Sequence, residues 1–128
     1  NAVVRVKSHL RLAQEMAMSN VQSSGCALDN KVLVGVGFRV LTPLTYKIEA
    51  RCTDGTMPAY YPYDGINEYS LESDYPDVKF DNPGTDVLFN TLGKGVENEV
   101  IITLTQDSSG DGKEITVTTG GEINVKDI

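Results

Sequence analysis

The chain has few of the residues on which catalytic and metal sites most often depend. Its 128 residues include one histidine, His9, two cysteines and no tryptophan. Two cysteines cannot complete a four-ligand zinc site, and a Ser-His-Asp hydrolase would have to use His9 as its base. No G-x-S-x-G nucleophile motif is present. The composition argues against most metalloenzymes and hydrolases, and we expect a protein that is not an enzyme.

The chain also lacks a long apolar run and an excess of basic residues. No apolar stretch approaches the ~20 residues needed to cross a bilayer. The 11 basic residues are outnumbered by 18 acidic ones, which gives a net charge of -7 at pH 7. Nucleic-acid binding depends largely on neutralising phosphates with Lys and Arg, so we expect no nucleic-acid partner.

The sequence does contain an amphipathic helix pattern at its start. Apolar residues recur at steps of three and four, which is helix periodicity, at Val3, Val6, Leu10, Ala13 and Ala17. Gly25 is a natural stop signal, so we predict a helix of ~24 residues that is about 36 Å long. Asn1 starts no capping box, because Val4 stands where Glu or Gln belongs, and we predict no convincing N-cap there.

The remainder of the chain alternates between strand patterns and turn residues. Strands are predicted at residues 32–41, 46–51, 66–71, 78–80, 87–90, 99–106, 114–118 and 123–125, with a loop at 53–65. The sequence therefore predicts a single α+β domain. Residues 1–25 form a long N-terminal helix, which packs on antiparallel sheet of about seven or eight strands within residues 26–128.

Cys26 and Cys52 allow two interpretations. In a reducing compartment, lone cysteines are usually buried as small apolar side chains. In an exported protein, a pair of cysteines usually forms a disulfide. For an exported chain we predict the disulfide Cys26–Cys52, which would close a loop of about 26 residues and would join the end of the helix to the predicted hairpin.

Residues 107–112 match the first half of a calcium-binding loop. Asp107, Ser109 and Asp111 offer oxygen ligands at positions one, three and five, and Gly112 stands at position six. The pattern then fails, because Thr118 occupies position twelve, where a bidentate Glu belongs. Since Ser, Asp and Gly are also turn residues, the segment predicts either a polar hairpin turn or an incomplete calcium site.

Charge is divided unevenly along the chain. Residues 1–24 carry three basic side chains and one acidic side chain, whereas the rest carries eight basic and 17 acidic ones. A basic helix joined to an acidic body suits contacts between copies, because opposite patches attract each other. Chance asymmetry would give the same division.

The order of these elements resembles the soluble part of a type IV pilin-like protein, and is most similar to the GspH/FimT group of minor pilins and pseudopilins. The segments that carry the resemblance are 10–20 in the helix, then 37–40, 74–80, 87–93, 102–104, 115–117 and 121–123 in the strand region. Each segment is weak by itself, and the resemblance depends on their order and spacing across nearly the whole chain.

The resemblance implies a pilin-like fold and a structural subunit of a bacterial type IV pilus or related filament. The helix stripe would be the assembly face, the partners would be other pilin subunits, and no cofactor would be needed. An apolar segment before Asn1 would anchor the subunit in the inner membrane before assembly into a cell-surface or extracellular filament. We therefore expect the coding sequence before Asn1 to encode a short basic leader and an apolar run of about 20 residues.

Two alternatives remain open at this point. The chain could be a minor pseudopilin of type II secretion, or a secreted calcium- or ligand-binding β module. Members of the resembled group that bind DNA have a basic C-terminal tail, whereas Glu122 and Asp127 stand there in this chain.

Overall fold

The structure, a computed structural model, describes residues 1–63, 65 and 68–128. About 40% of the chain is strand and 20% is helix. Helix α1 (Ala2–Met18) and helix α2 (Ser24–Leu28) come first, and a short 3-10 helix (Thr91–Gly93) follows much later. The described strands are β1 (Val32–Val40), β2 (Thr45–Thr53), β3 (Ala59–Pro62), β4 (Tyr69–Ser70), β5 (Val78–Phe80), β6 (Asp86–Asn90), β7 (Val100–Gln106), β8 (Gly112–Val117) and β9 (Ile123–Asp127).

The strands form two separate antiparallel sheets. The first sheet has the order β3-β2-β1-β6, with β4 also paired to β2, and the second has the order β5-β7-β8-β9. Helix α1 contacts β1 and β6 of the first sheet and β8 and β9 of the second. The core therefore lies under the helix, where the apolar faces of both sheets meet it.

The predicted fold class, a long N-terminal helix packed on an antiparallel sheet, is wrong. The chain is mostly β, its first helix has 17 residues, and its strands are divided between two sheets. The helix ends early because Asn20 adopts a left-handed backbone conformation with φ of 53°. Val21 N–H then donates to Met16 O and Asn20 N–H to Ala17 O, which is the Schellman pattern that closes a helix.

Most predicted strands are present, and one unpredicted strand is added. Strand β3 lies inside the segment predicted as the 53–65 loop, and its Tyr60 pairs with Arg51 of β2. Pro62 ends this edge strand, where a missing N–H costs no ladder bond, so proline did not exclude a strand here. In the predicted strand 66–71, Ile66 and Asn67 lie outside the described residues, and β4 occupies part of the remainder.

The predicted disulfide between Cys26 and Cys52 is confirmed. Both residues are fully buried, and the bridge joins α2 to β2 across a sequence separation of 26 residues. Cys52 pairs with Leu33 of β1 and with Ala59 of β3. The bridge therefore ties the segment after α1 to an interior strand of the first sheet.

We predict that replacing both cysteines, Cys26→Ala with Cys52→Ala, destabilises the fold by about 3.5 kcal/mol, because the unfolded chain regains the freedom of an open loop of this length. For a domain of this size the loss corresponds to a fall in Tm of about 10 °C. Thermal unfolding with and without reductant measures it. Reductant should lower the Tm of the native chain and leave that of the double variant unchanged. An equal Tm for both chains without reductant would contradict the prediction.

Candidate assembly surface

The predicted assembly stripe lies in the core of the chain itself. Val6, Leu10 and Ala13 are fully buried, Ala17 is 1% exposed, and Val3 is half-buried at the margin of the core. Side chains at this spacing fall on one face of a helix, and both sheets cover that face. The stripe attaches α1 to its own sheets, so a contact of the folded chain with another molecule through α1 uses a different face.

The face of α1 turned away from the core carries two basic side chains. Arg11 is exposed, Lys7 is half-buried, and the two are one helical turn apart. They line a groove of about 640 Å³ between α1 and β9, the edge strand of the second sheet. Glu15 and Glu122 line the same groove. Glu15 lies one turn after Arg11, so both basic side chains precede the acidic one along the helix.

These two cations differ from most others in having no partner of opposite charge. The ion pairs of the described residues are Arg5–Asp74, Arg39–Glu49, Lys47–Glu49, Lys79–Asp107, Lys113–Asp127 and Lys126–Glu114. Lys31 and Arg51 stack on tyrosine rings. Within the part of the chain that the structure describes, this leaves Lys7, Arg11 and Lys94 with neither kind of contact. We call Lys7 and Arg11 the basic pair.

The start of α1 is fixed by a cap and an ion pair. The Asn1 side chain accepts a hydrogen bond from Val4 N–H at 3.0 Å, so the expectation that Asn1 gives no N-cap is wrong. Asn caps a helix by itself, without the Glu or Gln of a full capping box. One turn later, Arg5 donates to Asp74 at 3.1 Å. The basic pair is therefore carried by a helix whose first turns are held in place.

His9 lies on the flank of α1 against an aromatic cluster. Its ring stacks on Tyr69 with 3.9 Å between centroids, and its Nδ1 is 2.6 Å from the hydroxyl oxygen of Tyr46. Burial, and to a lesser extent the positive charge of Arg5, lower the pKa of His9. Burial also raises the pKa of Tyr46, so its hydroxyl stays protonated. The arrangement favours a neutral imidazole. The contacts of His9 with Tyr46 and Tyr69 hold α1 against the first sheet.

A second polar cluster lies on the outer face of the first sheet. Tyr60 crosses that face, donates its hydroxyl proton to Asp86 of β6, and has the guanidinium groups of Arg39 and Arg51 at 4.4 and 4.7 Å from its ring centroid. A Cβ at Gly37 would stand 2.7 Å from the ring, so Tyr60 needs glycine beneath it. Every member of this cluster has a partner inside the chain, which suits a structural role.

The predicted calcium residues lie in the turn between β7 and β8. The Asp107 carboxylate forms an ion pair with Lys79 at 2.9 Å, and Ser109 Oγ donates to Gln106. The Asp111 side chain lies at the end of the same turn. Among the described residues, no three His, Cys, Asp or Glu side chains converge in a way that could hold a metal ion. The Lys79 ammonium occupies one carboxylate that a calcium ion would need, and the calcium site stays a prediction.

No described helix is long and apolar enough to span a membrane.

Comparison with known proteins gives the chain no relatives: no family model, no curated protein and no solved structure matches it. The resemblance to type IV pilin-like proteins thus stays a prediction.

Sequence reasoning did not single out the basic pair. Lys7 and Arg11 read as polar residues on the exposed side of an amphipathic helix, which nearly every surface helix has. What distinguishes them is that no acid in the described ranges pairs with them, and only the three-dimensional arrangement shows that. The uneven division of charge along the chain was the one sequence signal that pointed toward them.

We predict that stability falls as the pH drops from 7.5 to 5.5. In the unfolded chain His9 has a pKa near 6.5, whereas its folded pKa is lower, so below pH 6.5 the unfolded state binds more protons. Stability from this group is complete above pH 6.5 and is lost as the pH falls toward the folded pKa. Urea unfolding across this range measures it. A His9→Gln variant should show a flatter profile, and equal slopes for both chains would contradict the assignment to His9.

Proposed function

We propose that this chain is a structural subunit of a cell-surface filament, of the kind that type IV pilin-like proteins form, and that it catalyses no reaction. Copies associate through the exposed face of α1. An apolar segment before Asn1 anchors the subunit in the membrane before assembly. A type II secretion pseudopilus would use the same kind of contact between subunits.

The observation that carries the proposal is the basic pair. Among the residues that the structure describes, six of the 11 basic side chains form ion pairs with acids, whereas Lys7 and Arg11 project from α1 without an acidic partner. The chain has an acidic excess, and it lies almost entirely outside this helix. Opposite surface potentials speed encounter and fix orientation between proteins. An acidic surface on a neighbouring copy is therefore a suitable partner for the helix.

The buried disulfide supports the proposed location at the cell surface. Disulfides form and persist outside the cytoplasm and are rare within it. The Cys26–Cys52 bridge holds the segment after α1 to the first sheet. A subunit exposed at the cell surface gains from such a crosslink, since it constrains the unfolded chain.

The experiment reverses the basic pair with Lys7→Glu and Arg11→Glu. We expect the native chain to associate in a concentration-dependent way at low ionic strength, and to do so less as salt screens the charges beyond about 10 Å at 0.1 M. The double variant should lose this association, because two attractive contacts become repulsive. Sedimentation velocity over a range of protein and salt concentrations measures both effects.

The matched control is Lys31→Glu with Lys79→Glu, which changes the net charge equally at cations outside the helix. This control should associate like the native chain. Far-UV circular dichroism and Tm values show whether all three chains are folded. A monomeric native chain, or equal association by the native chain and the Lys7→Glu, Arg11→Glu variant, would overturn the proposed function.

A further inference from the structure

The acidic residues, sorted by their contacts, show which carboxylates are available to another molecule. Most acids of the described residues bond to a basic side chain, a hydroxyl or a backbone N–H. The side chains with no such contact among those residues are Glu15, Glu68, Glu72, Glu97, Glu99, Asp111 and Glu122. Glu97 and Glu99 are the closest pair in sequence, and both are exposed. We call residues 97–99 the acidic loop.

The acidic loop is held firmly at both ends. On one side, Val96 is buried and its N–H donates to Thr119 O at 3.1 Å, while Gly95 O accepts from Asn90 N–H at 2.8 Å. Gly95 has a φ of 73°, and a Cβ there would lie 2.2 Å from Thr119 O, so the approach requires glycine. On the other side, β7 begins at Val100. Both glutamates thus project from a fixed backbone.

The acidic loop and the basic pair lie at different places along α1. The turn that holds the loop continues to Gly121, whose carbonyl oxygen accepts a hydrogen bond from Gln14 Nε2 at 2.5 Å. This places the loop beside the C-terminal part of α1. On the same helix, Lys7 lies about two turns and Arg11 about one turn before Gln14. A contact between the two patches therefore joins the helix of one copy to a loop of another.

The spacing of the two cations in the basic pair matches the spacing of the two carboxylates in the acidic loop. Lys7 and Arg11 are four residues apart on a helix that rises 1.5 Å per residue, which is about 6 Å along its axis. Glu97 and Glu99 are two residues apart, so their Cα atoms are separated by at most about 7 Å. Two cations can then face two carboxylates at once. The pairing needs no unwinding of either element.

We infer that the acidic loop of one copy binds the basic pair of the next copy, so that subunits join head to tail. This inference rests on the proposed function and names the partner surface within it. The contact is heterologous, and a heterologous contact that does not close into a ring repeats without limit. One type of contact then builds an open filament in which every subunit has the same orientation.

The test reverses the acids with Glu97→Lys and Glu99→Lys. We expect the association constant of this variant to fall roughly tenfold or more at low ionic strength, because both charge pairs become repulsive. The matched control, Glu68→Lys with Glu72→Lys, changes the net charge equally at two other exposed carboxylates that have no partner among the described residues. It should associate at least as well as the native chain.

Mixing the variants gives the decisive measurement. One double variant carries Glu97→Lys with Glu99→Lys, and the other carries Lys7→Glu with Arg11→Glu. Neither should associate alone, since in each of these chains the two patches carry charge of the same sign. In an equimolar mixture, each patch of one variant meets a patch of opposite sign on the other, and association should return. Carbodiimide coupling of the native chain, followed by mass spectrometry, should join Lys7 to Glu97 or Glu99.

The outcomes separate this inference from the proposed function. If reversing the basic pair abolishes association while the acidic-loop variant associates normally, the helix contact holds and the inference is overturned. A mixture that fails to associate, when both variants are folded and neither associates alone, overturns it as well. If neither reversal has any effect, or the native chain is monomeric throughout, the proposed function fails together with the inference.

Discussion

Burial of one face of α1 under both sheets is the interaction on which the rest of the structure depends. Val6 and Leu10 are fully covered, and each such side chain contributes about 1.5–3 kcal/mol when it leaves water. Helix α1 connects the two sheets, because it contacts strands of both. Removing the helix would leave an apolar face of each sheet in water. Helix α1 therefore serves first to hold the two sheets together, and only its outward face is available to other molecules.

That burial also determines which part of α1 can serve another molecule. A helix packed on one side has its polar side turned outward, and here that side carries Lys7 and Arg11, which form no ion pair with any acid of the described part of the chain. Elsewhere among the described residues, every basic side chain except Lys94 forms an ion pair or lies over a tyrosine ring, and Arg39 does both, with Glu49 and Tyr60. An exposed ion pair within one chain adds little stability. Unpaired charges therefore cost the fold little and remain available for recognition between copies.

The sequence predicted the local elements better than their arrangement. Alternation of apolar residues located β1, β7 and β8, because one face of each strand is buried. It missed the helix end at Asn20, where a left-handed residue other than glycine gives only a weak signal. It also missed β3, because Pro58 before the strand and Pro62 at its end are typical of a loop. The division into two sheets depends on pairings between distant residues, which periodicity does not encode. The disulfide could be predicted from composition, because two cysteines allow only one pairing. The basic pair could not, because the lack of an acidic partner depends on contacts between distant residues.

The tyrosines set an alkaline limit on this fold. Burial raises the pKa of Tyr60 and of Tyr63 to about 12, and raises that of Tyr46 as well. In the unfolded chain these phenols ionise near pH 10, so the folded state is progressively disfavoured above that pH. Since the chain has no tryptophan, tyrosinate absorbance is free of indole signal. The ultraviolet spectrum during an alkaline titration thus follows the ionisation of the tyrosines without any added probe.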